Sequence, residues 1–316
     1  MYKINKLKKF LGDKLQEHVV LRNYTSVHIG GVADYFCKID KIEDLIGTII
    51  AAREDGVPFF VLGGGSNVII SDYGYPGLII KNQTNNISFV NDKAQVIADS
   101  GTNLSRLVLE SINHGLGGLD ALYGIYGTLG GAIYGNAGAY GKDIFEFIKT
   151  VTMLSPNNKL ISKDATWFEP EYRSTKLKKN QGNDYIILTA KLQLAHSRKE
   201  QLLEQIVRIK KERDQKFGGL GYSCGSIFKN PNAGNTYNNA ELAKKNSAGF
   251  LLEQSGAKKI KVGDAGVFSK HANIYENKGN ATALETKKLF DTLKDKVREE
   301  FGVQLEEEVE YVGQWE

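Results

Sequence analysis

A serine that follows a glycine at the entry to a strand is open to chemistry. Ser226 stands in such a place, in the run Ser223-Cys224-Gly225-Ser226-Ile227-Phe228-Lys229-Asn230. The sequence offers it no evident Ser-His-Asp partner set, so nucleophilic hydrolysis is a poor fit. Taken alone, such a serine is more often an ordinary turn residue than a catalytic one. Arg173, in Glu171-Tyr172-Arg173-Ser174, reads either as a solvated surface cation or as a charge near a site. Glu306, Glu308 and Glu310 would share one face of a strand over 305–312. Such a row is normally solvated, whereas a buried member would have a raised pKa and could act as an acid.

Two glycine-rich stretches could hold a ligand for that chemistry. The first is Leu62-Gly63-Gly64-Gly65-Ser66-Asn67. Its glycines allow successive amides to face one concavity and bind a diphosphate. It is neither a P-loop nor a GxGxxG fingerprint, and a tight strand-to-strand turn fits it about as well. The second stretch, 115–141, carries ten glycines in 27 residues. Glycine at this density costs conformational entropy on folding, so a folded domain needs a reason to carry it. Leu116, Leu119, Leu122, Ile125, Leu129 and Ile133 are interspersed, which a solvated loop would not show. Thr128 and Asn136 add neutral hydrogen-bonding groups. The stretch reads as a wall of backbone amides around a large anionic cofactor, and two such walls suit one elongated dinucleotide.

The surrounding elements would position these groups. Strand, helix and strand patterns at 33–39, 41–55 and 58–62 lead into the first glycine loop, which predicts a small parallel sheet with its ligand at the strand's carboxyl end. Short strands at 78–81, 87–90, 95–99, 148–154 and 185–194, with a helix over 103–114, predict an antiparallel second lobe. A charged helix over 198–216, an amphipathic helix over 281–301 capped by Gly302, and a final strand over 305–312 predict a third region. The expected division is 1–80, 81–196 and 197–316, in an α+β fold.

Composition narrows the function classes. Of 316 residues, 25% are charged and the net charge is +4, well short of the basic patch of a nucleic-acid binder. The N-terminal MYKINKLKKFLGDKL reads as an amphipathic helix without an apolar signal core, and no 18-residue apolar run occurs, so a cytoplasmic protein without a membrane partner is expected. Two cysteines and five scattered histidines argue against a disulfide framework and against a metal site.

Seven segments then occur in one order: 23–34 (NYTSVHIGGVAD), 62–72 (LGGGSNVIISD), 118–141, Tyr172-Arg173-Ser174, 224–231 (CGSIFKNP), 270–273 (KHAN) and 305–309. Together they span nearly the whole chain, and their joint order resembles the UDP-N-acetylenolpyruvoylglucosamine reductases. The short distance from Arg173 to Ser226 is similar to the compact subgroup lacking an extra tyrosine-bearing loop. The resemblance implies a two-lobed FAD-binding domain of the vanillyl-alcohol-oxidase/PCMH type and a C-terminal α+β substrate-binding domain. It implies non-covalent FAD, NADPH as co-substrate, and reduction of UDP-N-acetylglucosamine enolpyruvate to UDP-N-acetylmuramate in peptidoglycan precursor synthesis.

By the same resemblance Ser226 is the proton donor, and Arg173 and Glu308 bind and polarise the substrate carboxylate. The cofactor would lie against Gly63, Gly64, Gly65, Ser66 and Asn67, and against Gly127, Thr128, Gly130, Gly131, Asn136, Ala137, Gly138 and Tyr140. Arg213, Lys216, Lys229 and Asn230 are candidates for the uridine diphosphate. A monomer or weak dimer is expected. The chain departs from the family pattern at Tyr126, where Gly-Ile-Pro-Gly is usual, and at Glu310, where a basic residue is common. Glycines also stand within 216–222, where a proline often precedes the serine motif.

Overall fold

The computed structural model describes residues 2–179, 185–231 and 246–315. The chain folds into two compact units with interleaved segments. The first comprises Met1–Glu17, Tyr35–Gly64 and Gly77–Arg213, and the second His18–Asp34, Gly65–Pro76 and Asp214–Glu316.

The two larger sheets have four and five strands. One has four strands in the order Gln16–Val20, Val32–Ile39, Tyr75–Asn82, Phe59–Leu62. Phe59–Leu62 and Leu78–Lys81 run parallel, and Leu62 is in register with Lys81. The helix Ile42–Glu54 buries Leu45 and Ile49 in the same cluster as Leu78 and Ile80. The N-terminal helix Asn5–Leu11 buries Leu7 and Leu11 there as well.

The other sheet has five antiparallel strands in the order Leu160–Asp164, Ile148–Leu154, Ile186–Gln193, Gln95–Asp99, Ile87–Val90. The helix Leu104–Asn113 packs on its core through Leu104, Leu107, Val108 and Ile112, spaced for one helical stripe. Burying each such side chain contributes roughly 1.5–3 kcal/mol. Asn103 begins the helix by accepting a bond from the Arg106 amide. The apolar residues of the second glycine stretch, among them Leu116, Leu119, Leu122, Leu129 and Ile133, are buried in this same core. They anchor the stretch while its glycines leave the backbone open to close contact.

The second unit has a three-stranded antiparallel sheet (Lys261–Val262, Ala265–Val267, Tyr275–Asn277) and a parallel pair, Val68–Ile70 with Glu310–Val312. The helix Ala283–Phe301 opens with a capping box between Thr282 and Glu285 and closes at Gly302, whose φ of 67° favours glycine. Asp72 adds a second cap, its carboxylate accepting from the amides of Ala283 at 2.9 Å and Leu284 at 3.1 Å. Leu289, Leu293 and Val297 are buried as expected, but Phe301 is exposed because it ends the helix beyond the packed face.

The final strand differs more. Only Glu310–Val312 is a strand, so Glu308 precedes it and the three glutamates do not line one strand face. Local ion pairs break the run. Glu306 pairs with Lys229, and Glu307 accepts from Lys294 at 2.5 Å and from the Tyr311 hydroxyl.

Candidate active site

In the first unit the two glycine stretches meet. A Cβ on Gly63 would lie 2.5 Å from Thr128 Oγ1, and one on Gly64 would lie 2.6 Å from Gly127 Cα. No side chain larger than hydrogen fits either position. On the far side, a Cβ on Gly130 would lie 2.9 Å from the Ser100 side chain.

The amides divide into two groups. Those of Leu129 and Gly130 donate to Thr102 and Ser100 carbonyls, that of Gly131 donates to Thr128 Oγ1, and that of Ala137 donates to the Ala132 carbonyl. The expected wall of amides is therefore largely spent on the protein's own acceptors along 129–137, where the glycines serve close approach. The amides of Gly64 and Gly65 meet no protein acceptor among the described residues.

Three residues here hold left-handed backbone without being glycine: Asn136 (φ 45°), Tyr140 (φ 52°) and Arg173 (φ 53°). Each costs on the order of 1 kcal/mol or more, and such conformations cluster where function over-determines them. Asn136 donates to the Glu171 carbonyl at 2.8 Å, yet its Oδ1 is buried without a protein partner. Arg173 Nη2 donates to the Gly138 carbonyl at 2.6 Å, and its guanidinium carbon lies 5.0 Å from the Tyr172 ring centroid. The arginine is thus fixed on the second glycine stretch and is not a freely solvated charge. Tyr140 is half exposed, and burial together with its bond to Glu212 raises its pKa. Arg213 Nη2 donates to the Gly124 carbonyl at 2.5 Å, which ties this diphosphate candidate to the same stretch. Tyr126 is 82% exposed.

In the second unit, Ser226 and Glu308 are brought together through backbone. The Glu308 amide donates to the Ile227 carbonyl at 2.9 Å, and the Lys229 amide donates to Glu306. On the opposite edge Ser226 bridges Ile274, and the Ile227 amide donates to the Asn273 carbonyl. Asn273 also clamps Phe228 from both sides: its Oδ1 accepts from the Phe228 amide and its Nδ2 donates to the Phe228 carbonyl. Ser226 itself is half-buried between these two edges. Its neighbour Gly225 has φ 82°, and Ser223 Oγ accepts from the Gly225 amide at 3.0 Å, which shapes the turn.

Asn67 holds the glutamate segment: its Nδ2 donates to the Glu308 carbonyl at 3.1 Å, and its own carbonyl accepts from the Glu310 amide. A Cβ on Gly65 would lie 2.2 Å from the Tyr24 carbonyl. Ser66, next to it, is half-buried. Among the diphosphate candidates, Lys229 pairs with Glu306, Asn230 accepts from the Ala248 amide, and the Lys216 ammonium lies 5.2 Å from the Phe217 ring centroid. His271 Nδ1 accepts from the Asn273 amide, and burial, with Lys216 and Lys258 nearby, lowers its pKa to about 4.

Three positioning groups escaped the reading of the sequence: Ser100 and Thr102, Asn273, and Lys81. The first pair follows a strand in Asp-Ser-Gly-Thr-Asn, a polar turn signal that marks a junction. Asn273 lies in the KHAN segment, where nothing local assigns its amide a partner.

Two features suit a large ligand with hydrogen-bond donors and an anionic middle: unspent amides at Gly64 and Gly65, and an orphaned acceptor at Asn136. Residues 33–162 match the FAD binding domain family, and residues 215–312 match the family described as UDP-N-acetylenolpyruvoylglucosamine reductase, C-terminal domain. The fold and site define an α+β FAD-binding oxidoreductase with a separate C-terminal domain.

The chain is 35% identical to a UDP-N-acetylenolpyruvoylglucosamine reductase of Clostridium novyi, over 98% of this chain and 97% of that protein. It is 37% identical to that of Solibacter usitatus, over 92% and 94%. The solved reductase of Thermus caldophilus superposes with a TM-score of 0.75 at 28% identity, covering 94% of this chain and 99% of that one. The chain belongs to the UDP-N-acetylenolpyruvoylglucosamine reductase family.

Proposed function

We propose that this chain reduces UDP-N-acetylglucosamine enolpyruvate to UDP-N-acetylmuramate with NADPH, as a cytoplasmic step of peptidoglycan precursor synthesis. The observation that supports the reading is the bond from the Glu308 amide to the Ile227 carbonyl, which joins the backbone at Glu308 to the segment that carries Ser226. FAD, when bound, supplies the reducing equivalents drawn from NADPH. The amides of Gly64 and Gly65, which meet no protein acceptor among the described residues, would donate to it, and Asn136 offers it a buried acceptor.

The protein's own groups handle charge and proton. Reduction of the enol ether puts negative charge on the carbon beside the substrate carboxylate, delocalised as an enolate. Arg173, already fixed to the Gly138 carbonyl, stabilises that charge as it develops. Glu308, when protonated, donates a hydrogen bond to the same oxygens. The Ser226 hydroxyl delivers a proton to the carbon. It is a weak acid, but its acceptor is a strongly basic carbanion, so the transfer has driving force. Functionally we keep two cofactor lobes, 1–80 and 81–196, and a substrate region, 197–316.

The test is direct. The purified protein should carry FAD and sustain multiple turnovers of NADPH only when the enolpyruvyl nucleotide is present. A flavin-free protein, or NADPH oxidation indifferent to the nucleotide, would overturn the reading.

A further inference from the structure

The ammonium of Lys81 is set against the first glycine loop. Leu62 and Lys81 are register partners in the parallel pair, so the lysine lies level with the point where the loop begins. Its Nζ donates to the Gly63 carbonyl. The side chain is half-buried, and no carboxylate pairs with it among the described residues. Burial, with Lys38 nearby, pulls its pKa below the ordinary lysine value.

A partly buried cation without a counter-charge carries a desolvation cost, which a bound anion offsets. Two further features point the same way. The amides of Gly64 and Gly65 meet no protein acceptor. Gly64 also packs against Gly127 too closely for any side chain, so position 64 itself cannot carry a charge. Two free amides and the Lys81 ammonium thus stand together at the loop as donors.

We propose that Lys81 is the positive charge that holds the cofactor's diphosphate at the Gly63-Gly64-Gly65 loop. The inference rests on the FAD reading and adds a residue to it. Lys81 acts on binding, through charge and through the Gly63 carbonyl it fixes.

The experiment is a titration of apoprotein with FAD, read by quenching of flavin fluorescence, for wild type, Lys81→Met and Lys81→Arg. Met keeps the unbranched stem without charge, whereas Arg keeps charge and changes shape. Lys81→Met is expected to weaken FAD about tenfold, equivalent to about 1.4 kcal/mol. Lys81→Arg should stay within about threefold of wild type. A thermal midpoint for each apoprotein checks that it is folded. A folded Lys81→Met protein that binds FAD as tightly as wild type overturns the inference. So does equal weakening by Met and Arg, which marks a role of shape. Wild-type apoprotein that takes up no FAD overturns the cofactor reading and this inference with it.

Discussion

Ser226 is half-buried and clamped through backbone on both sides, by Ile274 and Asn273 on one edge and by the 306–308 segment on the other. A serine so held has little freedom to be replaced functionally by a neighbour. Ser226→Ala should leave flavin reduction by NADPH within about twofold and lower turnover of the enolpyruvyl nucleotide about 10²–10⁴-fold, the usual weight of a positioned proton donor. Equal loss in both half-reactions would remove Ser226 from that role. Arg173→Gln should lower kcat/KM about 100-fold or more through lost charge stabilisation, with bound flavin retained. Arg173 was legible in the sequence only as a residue type in a short motif. Its left-handed backbone and its bond to Gly138 depend on residues 35 positions away, which no local pattern encodes. Lys81 was silent for a similar reason, since one lysine ending an apolar run is normally a solvated strand end.

At the scale of elements, most of the fold could be read directly. The strands 87–90, 95–99 and 148–154 have the expected bounds, and the helix Leu104–Asn113 lies within the predicted 103–114. Alternation and helical spacing carry that information because one face of each element must be buried. The carboxyl end could not be read this way. A run of Leu and Glu looks like an alternating strand, but Glu306 and Glu307 are drawn to Lys229 and Lys294 on other elements. The use of the second glycine stretch was only half visible. Its glycines signal close approach, but the sequence does not say that Ser100 and Thr102 consume its amides. Two predictions belong here. Gly64→Ala forces a Cβ to within 2.6 Å of Gly127 Cα, so the purified variant should lose most of its bound flavin. Asp72→Ala removes two charge-assisted capping bonds from the helix Ala283–Phe301 and should cost about 1 kcal/mol in denaturant unfolding.

For the whole molecule, His271 links stability to pH. Folded His271 is held neutral with a pKa of about 4, while an unfolded histidine titrates near 6.5. Between those values the unfolded chain binds more protons, so stability rises with pH from about 4 to about 6.5 and is level above. Thermal midpoints across that window should climb in the wild type and climb less in His271→Asn. Across the described residues, no helix is long and apolar enough to cross a membrane.

One measurement reaches the chemistry proposed for the site most directly. Holoprotein reduced anaerobically with one equivalent of NADPH is mixed in a stopped-flow instrument with UDP-N-acetylglucosamine enolpyruvate. The flavin absorbance should return in a single turnover with UDP-N-acetylmuramate as product. Absorbance that stays bleached, or recovers no faster than with buffer, would contradict it.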